Sequence, residues 1–295
     1  MPSVWQVSRS RTLTLDVPRV IAIINATPDS FHAGSRVDGA AAALRAAREA
    51  IDAGANMLDL GGESTRPGAA RVPAEEQMRR VLPALEAIRG ALPEMSISID
   101  TTLSRVAEAA LAGGADAIND VSAGLEDPEM LGIVARAGAG LVLMHRGAPP
   151  PLDHYSDQYV REPLFVDVVR EVGEFLARRA RAAVGAGVAP GAIALDPGLG
   201  FGKSVEHNLD LIARTRELAA LGYPIVSAAS RKSFVGRVSL GRDSTPDERL
   251  AGSIAASVAH WHAGARLFRV HDPGPQGQAL RVAAALTRDE RYRVS

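Results

Sequence analysis

The chain has 295 residues, a formal net charge of −1 and 46% apolar residues. This composition is ordinary for a soluble globular protein, and the near-zero charge argues against general nucleic-acid binding, which needs many contacts between basic side chains and phosphates. The absence of cysteine excludes disulfides, thiolate metal ligands and a cysteine nucleophile. No segment has the apolar pattern of a signal peptide or the length of a membrane span, so we expect a soluble cytoplasmic protein.

A short unit recurs along the chain: a helical stretch, a step of Ala and Gly residues, and a few apolar residues that end in a polar one. Glycine just after a helix adopts the left-handed conformation at low cost, and an apolar run too short for a helix indicates a strand buried on both faces. This pattern predicts eight strands: Val20–Ile24, Asn56–Leu60, Ser96–Asp100, Ala117–Asp120, Leu141–Met144, Ile193–Asp196, Ile225–Ala228 and Leu267–Val270.

Helical patterns separate the predicted strands, for example near Pro163–Val184, Val205–Leu221 and Pro246–His262. Eight alternating strands and helices in about 250 residues are typical of a (β/α)₈ barrel, the TIM barrel. The main alternative, a doubly wound open sheet, usually stops at about five to seven strands. No shift in composition divides the chain, so we predict one α/β domain over residues 1–295, with its core at about 18–288.

Polar or charged side chains follow nearly every predicted strand. Active sites of (β/α)₈ barrels lie at the carboxyl ends of the strands, and the only two lysines of the chain, Lys203 and Lys232, fall there. Asp and Asn often cap helices, so each position alone has a structural explanation. Their joint placement on one face instead indicates a site of converging polar groups.

Two common kinds of site do not fit the sequence. Lys203 and Ser204 look like the end of a nucleotide-binding P-loop, but that motif needs glycine where this chain has Pro197. With no histidine pair four residues apart and no cysteine, a zinc site is not expected either.

The last predicted strand indicates an anion site. Arg269 and His271 are alternate residues of an extended segment, so their side chains point the same way. The arginine fork suits phosphate, and phosphate sites often follow the last two strands of this fold. Arg66 is a second candidate anion contact, and the neutral oxygen of Asn25 suits Mg²⁺ held mainly by substrate phosphates and water. Deeper in the barrel, three side chains are expected to contact a polar heterocycle: Asp100, Asn119 and Asp196.

Seven segments of the chain occur in the order found in dihydropteroate synthases: NATPDSF, GGESTRPG, SIDTT, AINDVSAG, LDPGLGFGK, ASRKSFVG and RVHD. The chain therefore resembles this family from about Ile21 to Asp272. The resemblance implies a transferase of folate biosynthesis that condenses 6-hydroxymethyl-7,8-dihydropterin diphosphate with para-aminobenzoate, forming 7,8-dihydropteroate and pyrophosphate. It also implies a homodimer.

The resemblance assigns three groups of residues to the substrates. Those that contact the pterin are Asp100, Asn119, Met144, Asp196, Phe201 and Lys232. Those that hold the diphosphate are Asn25, Arg269 and His271, and Asn25 also contacts Mg²⁺. Those near para-aminobenzoate are Phe31, Thr65, Arg66 and Ser230. From these groups we predict the catalytic residues Asp100, Asp196 and Lys232.

Two segments depart from the family pattern. After Phe31 the family usually has Ser-Asp-Gly-Gly, whereas this chain continues from His32 to Arg36 without an acidic residue; the residues after Asp272 also lack the usual acidic one. A non-catalytic pterin-binding homologue is therefore an alternative. A pterin-binding methyltransferase is another, because folate-dependent methyl transfer can use a related barrel. The intact STRPG segment favours the synthase, because a methyltransferase does not need Arg66 near an aminobenzoate.

Overall fold

Eight parallel strands form a nearly closed barrel in the computed structural model, which describes residues 2–26 and 36–288. The strands are β3 (Arg19–Asn25), β4 (Met57–Gly61), β5 (Ser96–Asp100), β6 (Ala117–Asp120), β7 (Gly140–Met144), β8 (Ile193–Asp196), β9 (Val226–Ser227) and β10 (Leu267–Val270). Neighbours pair in chain order from β3 to β8, and β10 pairs with β3 and β9. A parallel bridge between Leu195 and Ile225 closes the circle. The predicted (β/α)₈ barrel is confirmed.

The helices that follow the strands are α1 (Arg36–Asp52), α2 (Ala74–Ala91), α3 (Ser104–Ala112), α4 (Met130–Ala137), α5 (Val168–Gly185), α6 (Val205–Ala213), α7 (Thr215–Ala219), α8 (Ser233–Leu240), α9 (Leu250–Ala263) and α10 (Pro273–Arg288). In the described part of the chain, none of them is long and apolar enough to cross a membrane.

The helix boundaries differ from the sequence prediction in three places, each for a local reason. The stretch predicted as one helix over Val205–Leu221 is broken at Arg214, whose backbone leaves helical geometry (φ −102°, ψ 21°). The helix predicted near Pro163 begins at Val168, because the Asp167 side chain caps it by accepting from two backbone N–H groups. The stretch from Pro246 starts as a 3₁₀ turn, and α9 follows it.

Alternate residues of each barrel strand point into the barrel. Near the amino ends these inward residues are apolar and form one buried cluster that includes Ile21, Met57, Ala117, Val142, Ala194, Val226 and Leu267. The residues between them, such as Leu58 and Ile97, pack against the helices in the larger outer core. Toward the carboxyl ends the inward residues become polar, as in Asp59 and Asp100, so the polar site lies at one end of the barrel.

A hairpin that the sequence analysis did not predict covers the amino-terminal end of the barrel. Strand β1 (Val4–Gln6) pairs antiparallel with β2 (Thr12–Thr14). Trp5 is fully buried in the inner apolar cluster, and its indole N–H donates to the Ala192 carbonyl at 2.9 Å. The hairpin therefore removes apolar barrel interior from water at the end opposite the polar site.

We expect Trp5→Ala to lower the free energy of unfolding by about 3–5 kcal/mol, because it removes a large buried ring and leaves a cavity. Urea denaturation followed by circular dichroism would measure the change. Trp5→Phe is the matched control, since it retains most of the packing and loses the hydrogen bond. Equal losses in the two variants would show that packing is not the main contribution of Trp5.

Candidate active site at the mouth of the barrel

A cavity of about 880 Å³ lies at the carboxyl ends of the barrel strands. Its lining includes eight of the predicted site residues: Asn25, Thr65, Arg66, Asp100, Ser230, Lys232, Arg269 and His271. Phe31, the remaining residue predicted near para-aminobenzoate, lies outside the described residues, as does most of the segment that departs from the family pattern. Residues far apart in sequence thus share one cavity, because the carboxyl ends of parallel strands meet at one face.

The other four predicted residues are buried beside the cavity and are not part of its lining: Asn119, Met144, Asp196 and Phe201. Met144 and Phe201 pack together in a small apolar cluster. Asp196 accepts a hydrogen bond from the Gly198 backbone N–H at 2.7 Å, and burial raises the pKa of its carboxyl. Both polar and apolar predicted residues are therefore buried in the barrel next to the open cavity.

Strand register explains why three of the polar residues stand at one level. Asn25 pairs with Gly61, Gly61 pairs with Asp100, and Asp100 pairs with Asn119. Residues paired in register on adjacent parallel strands point to the same side of the sheet. The side chains of Asn25, Asp100 and Asn119 consequently form one layer at the barrel mouth.

Arg269 lies between two buried carboxylates. Its Nε is 2.6 Å from Asp59 Oδ2, and its Nη2 is 2.7 Å from Asp100 Oδ2. Burial disfavours the guanidinium charge, but the two carboxylates outweigh that effect and raise the pKa of Arg269. When all three groups are ionised, they carry a net charge of −1 in a site largely removed from water.

Asp59 is a member of this site that the sequence analysis missed. It is 1% exposed, and it accepts hydrogen bonds from Ser98 Oγ at 2.6 Å and from Asn119 Nδ2 at 3.2 Å. A signal was present, because Met57, Asp59 and Gly61 alternate along one strand and share its inward face. A single carboxylate at an inward position of an apolar strand needs a partner. Arg269 supplies it from β10, which is separated from β4 only by β3.

Arg269 was predicted to bind phosphate, but its guanidinium already has partners in the structure. Two of its nitrogens are engaged by Asp59 and Asp100, and the side chain is 19% exposed. The same residue still lines the cavity with His271. Its binding of diphosphate therefore remains a prediction, whereas its pairing with the two carboxylates is a feature of the fold.

Asp100 is poised to change its ionisation near neutral pH. Burial raises the pKa of its carboxyl to about 7, an effect that the Arg269 charge opposes and the Asp59 carboxylate reinforces. A carboxyl group with this pKa, in a cavity and beside charged partners, is typical of a functional site.

Lys232 has a similarly altered environment. Its Nζ lies 3.9 Å from the centre of the Phe201 ring, so the ammonium group faces an aromatic surface. Removal from water lowers the pKa of Lys232 to about 8, and the nearby Arg269 charge acts in the same direction, while Asp196 opposes both. Lys232 thus connects the cavity to the buried residues predicted to contact the pterin.

The other lysine, Lys203, has a structural place in the site. It is fully buried, and its ammonium donates to the carbonyls of Gly198 at 3.0 Å and Phe201 at 2.9 Å and contacts His145 Nδ1 at 2.9 Å. Gly198 has φ +68°, and a Cβ there would lie 1.8 Å from the His145 carbonyl oxygen. Lys203 therefore holds the glycine-rich segment that presents Phe201 to Lys232.

Ser230 joins the last two strands to α10. Its Oγ accepts from the His271 backbone N–H at 3.2 Å and from Gln276 Nε2 at 3.0 Å, and Gln276 was not predicted to take part. Burial, followed by the charge of Arg269, lowers the pKa of His271 to about 3. His271 is accordingly neutral at physiological pH, with one ring N–H to donate.

Comparisons with known proteins identify the family of this chain. Residues 21–271 match the family described as pterin binding enzyme. The dihydropteroate synthase of Neisseria meningitidis serogroup C is 41% identical over 289 residues, which are 96% of this chain and 97% of the relative. The barrel, the polar mouth and this match define a pterin-binding enzyme.

Solved structures place the chain within that class. The Xanthomonas albilineans dihydropteroate synthase with 4-aminobenzoic acid has a TM-score of 0.86 at 40% identity, covering 97% of this chain and 99% of that chain. The Burkholderia cenocepacia dihydropteroate synthase complexed with 7,8-dihydropteroate has a TM-score of 0.84 at 40% identity, covering 99% of both chains. The chain therefore belongs to the dihydropteroate synthase family and is a transferase of that type.

The raised pKa of Asp100 predicts how this residue affects stability. An ionised carboxyl is disfavoured in the fold, so between the ordinary pKa of 3.8 and about 7 the unfolded state loses the Asp100 proton first. We expect the unfolding free energy of the native chain, relative to Asp100→Asn, to fall by at most about 4 kcal/mol from pH 4 to pH 7 and to level off above. Denaturant titrations of both proteins across this range would measure it. A relative stability that rises with pH would show that Arg269, rather than burial, determines the ionisation of Asp100.

Proposed function

We propose that the mouth of the barrel condenses 6-hydroxymethyl-7,8-dihydropterin diphosphate with para-aminobenzoate, forming 7,8-dihydropteroate and pyrophosphate. The observation that carries the proposal is the buried group of Asp59, Arg269 and Asp100, which lies at the edge of a cavity of about 880 Å³. The cavity is of the size that small-molecule ligands occupy. Its inner wall is polar and carries Asp100, Arg269 and Lys232, and its rim carries the exposed side chain of Arg66.

The buried polar residues suit the pterin ring, which carries both N–H donors and ring-nitrogen and carbonyl acceptors. The carboxylates of Asp100 and Asp196 would accept from its N–H groups, and the amide of Asn119 can donate or accept. Met144 and Phe201, which pack together beside this region, would contact the flat faces of the ring. A site built to hydrogen-bond a polar heterocycle in this way rejects ligands that leave its buried groups unpaired.

The charge of the site suits the chemistry of the condensation. The bond between the pterin methylene carbon and the diphosphate oxygen breaks, and it leaves a delocalised cation on the pterin. Ionised Asp100, held in place by Arg269, stabilises that cation as it develops, and this preorganised group needs no rearrangement. The electron pair of the broken bond leaves with pyrophosphate. The amine nitrogen of para-aminobenzoate then forms the new bond to the methylene carbon and loses one proton to water or to the departing pyrophosphate. Lys232, which lines the cavity and faces the Phe201 ring, would contact both the pterin and the approaching amine.

The rim residues are assigned to the anionic parts of the substrates. His271, neutral at physiological pH, would donate one hydrogen bond to the diphosphate, and Arg269 would approach it from inside the barrel. Thr65, Arg66 and Ser230 line the same cavity and are assigned to the para-aminobenzoate side.

Asn25 fits the predicted Mg²⁺. Among the described residues, no group of three or more His, Cys, Asp or Glu side chains could hold a metal ion. Asn25 lines the cavity, and its neutral amide oxygen would suit an ion coordinated mainly by phosphate oxygens and water. Bound Mg²⁺ would neutralise charge on the diphosphate leaving group. We also propose a cytoplasmic location and a homodimer, and the family resemblance implies the homodimer.

The proposed reaction is tested by pyrophosphate release from the purified chain with the pterin diphosphate and Mg²⁺. We expect release that depends on para-aminobenzoate, together with formation of dihydropteroate. Calorimetric titration with the pterin diphosphate would measure pterin binding separately from turnover. Pterin binding without release would identify a non-catalytic homologue instead, and the segment from His32 to Arg36 would then be the first to exchange for the family pattern.

We expect Asp100→Asn to reduce kcat about a hundredfold, because the substitution removes the charge that stabilises the developing cation. Steady-state pyrophosphate release would measure the change. Circular dichroism and the thermal midpoint serve as controls that the variant is folded. A folded Asp100→Asn variant with nearly the native rate would remove this residue from the mechanism.

A further inference from the structure

We propose that Arg71 is a positioning residue that holds the β4–α2 loop (residues 62–73) across the para-aminobenzoate side of the cavity. The inference rests on the proposed function, because it assigns a role in binding the second substrate. Arg71 itself does not line the cavity, but the loop contributes Thr65 and Arg66 to it. Its effect therefore has to pass through the position of the loop, which lines the cavity with Thr65, Arg66 and six further residues.

Arg71 joins its own loop to two neighbouring loops of the barrel mouth. Its Nε lies 2.9 Å from Glu63 Oε1, at the start of the β4–α2 loop. Its Nη1 is 2.7 Å and 2.8 Å from the two carboxylate oxygens of Glu126, in the β6–α4 loop. Its Nη2 donates to Thr102 Oγ1 at 2.9 Å, two residues after Asp100. One planar guanidinium thus contacts three segments at once.

Glu63 closes the two ends of the loop on each other. Its Oε1 accepts from the Val72 backbone N–H at 2.9 Å, and its Oε2 accepts from Gln77 Nε2 at 2.9 Å. Gln77 is fully buried on α2, and its Oε1 accepts from Thr101 Oγ1 at 2.9 Å. The base of the loop is therefore tied to the residue that directly follows Asp100.

The middle of the loop extends over the cavity from this base. The Gly68 backbone N–H donates to the Pro150 carbonyl at 2.8 Å, which connects the loop to the β7–α5 segment on the other side. Thr65, Arg66 and Pro67, between the base and this contact, line the cavity. Arg71 at one end and Gly68 in the middle thus hold the segment that carries Thr65 and Arg66.

The order of the β4–α2 loop affects the affinity for the substrate. A loop that becomes ordered only when the substrate binds loses conformational entropy at that moment, which weakens binding. Arg71 restrains the loop before the substrate arrives. The planar fork is essential to this role, because a lysine ammonium on a flexible stem cannot hold the same three partners in fixed directions.

The test compares Arg71→Ala and Arg71→Lys with Arg79→Ala. Arg79 is the matched control, since it is a partly exposed arginine on α2 that pairs with Glu76 and is not part of the cavity lining. Steady-state kinetics would give KM for each substrate and kcat. For Arg71→Ala we expect KM for para-aminobenzoate to rise about tenfold, with KM for the pterin diphosphate and kcat changed less than about twofold. Arg71→Lys should recover only a small part of the loss, and Arg79→Ala should match the native chain.

Hydrogen exchange supplies a readout that does not depend on turnover. Backbone amides of residues 64–70 should exchange faster in Arg71→Ala than in the native chain or in Arg79→Ala. If the native chain releases no pyrophosphate, the proposed function fails, but the exchange measurement still tests the restraint. The inference is overturned if exchange is unchanged, if Arg71→Lys behaves like the native chain, or if KM rises equally for both substrates.

Discussion

The site depends on the burial of two carboxylates, Asp59 and Asp100, around one guanidinium. Removing ionised groups from water is costly, and their attraction offsets that cost only with close geometry and further hydrogen bonds. Arg269 provides contacts of 2.6 and 2.7 Å, and Ser98 and Asn119 supply additional hydrogen bonds to Asp59. When both carboxylates are ionised, the three groups carry a net charge of −1 beside the cavity, which suits a reaction that forms a cation.

The rest of the barrel keeps this charged group in place. Apolar side chains fill the barrel interior near the amino ends of the strands, and the hairpin with Trp5 covers that end of the barrel. Water can therefore reach the carboxylates mainly from the mouth. After β8, the ammonium group of Lys203 holds a glycine-rich segment by hydrogen bonds, and this segment presents Phe201 to Lys232. The two lysines thus differ in role, since Lys203 supports the site and Lys232 faces the cavity.

Strand positions were predictable because buried parallel strands leave a clear pattern of short apolar runs that end in polar residues. The predicted bounds of Ser96–Asp100, Ala117–Asp120 and Ile193–Asp196 agree with the structure. Helix bounds were less predictable, since they depend on local capping and backbone geometry, as at Asp167 and Arg214. Propensity and periodicity do not determine such end points.

The sequence by itself determined the fold class, the family and the strand ends at which polar side chains collect. It did so because residue periodicity and short motifs are properties of neighbouring positions. Only the tertiary structure decided which of these groups are paired. Arg269 contacts Asp59 across 210 positions, and Trp5 contacts Ala192 across 187. Such contacts depend on how the barrel closes, so the pairing of Arg269, the part played by Asp59 and the restraint by Arg71 became visible only in three dimensions.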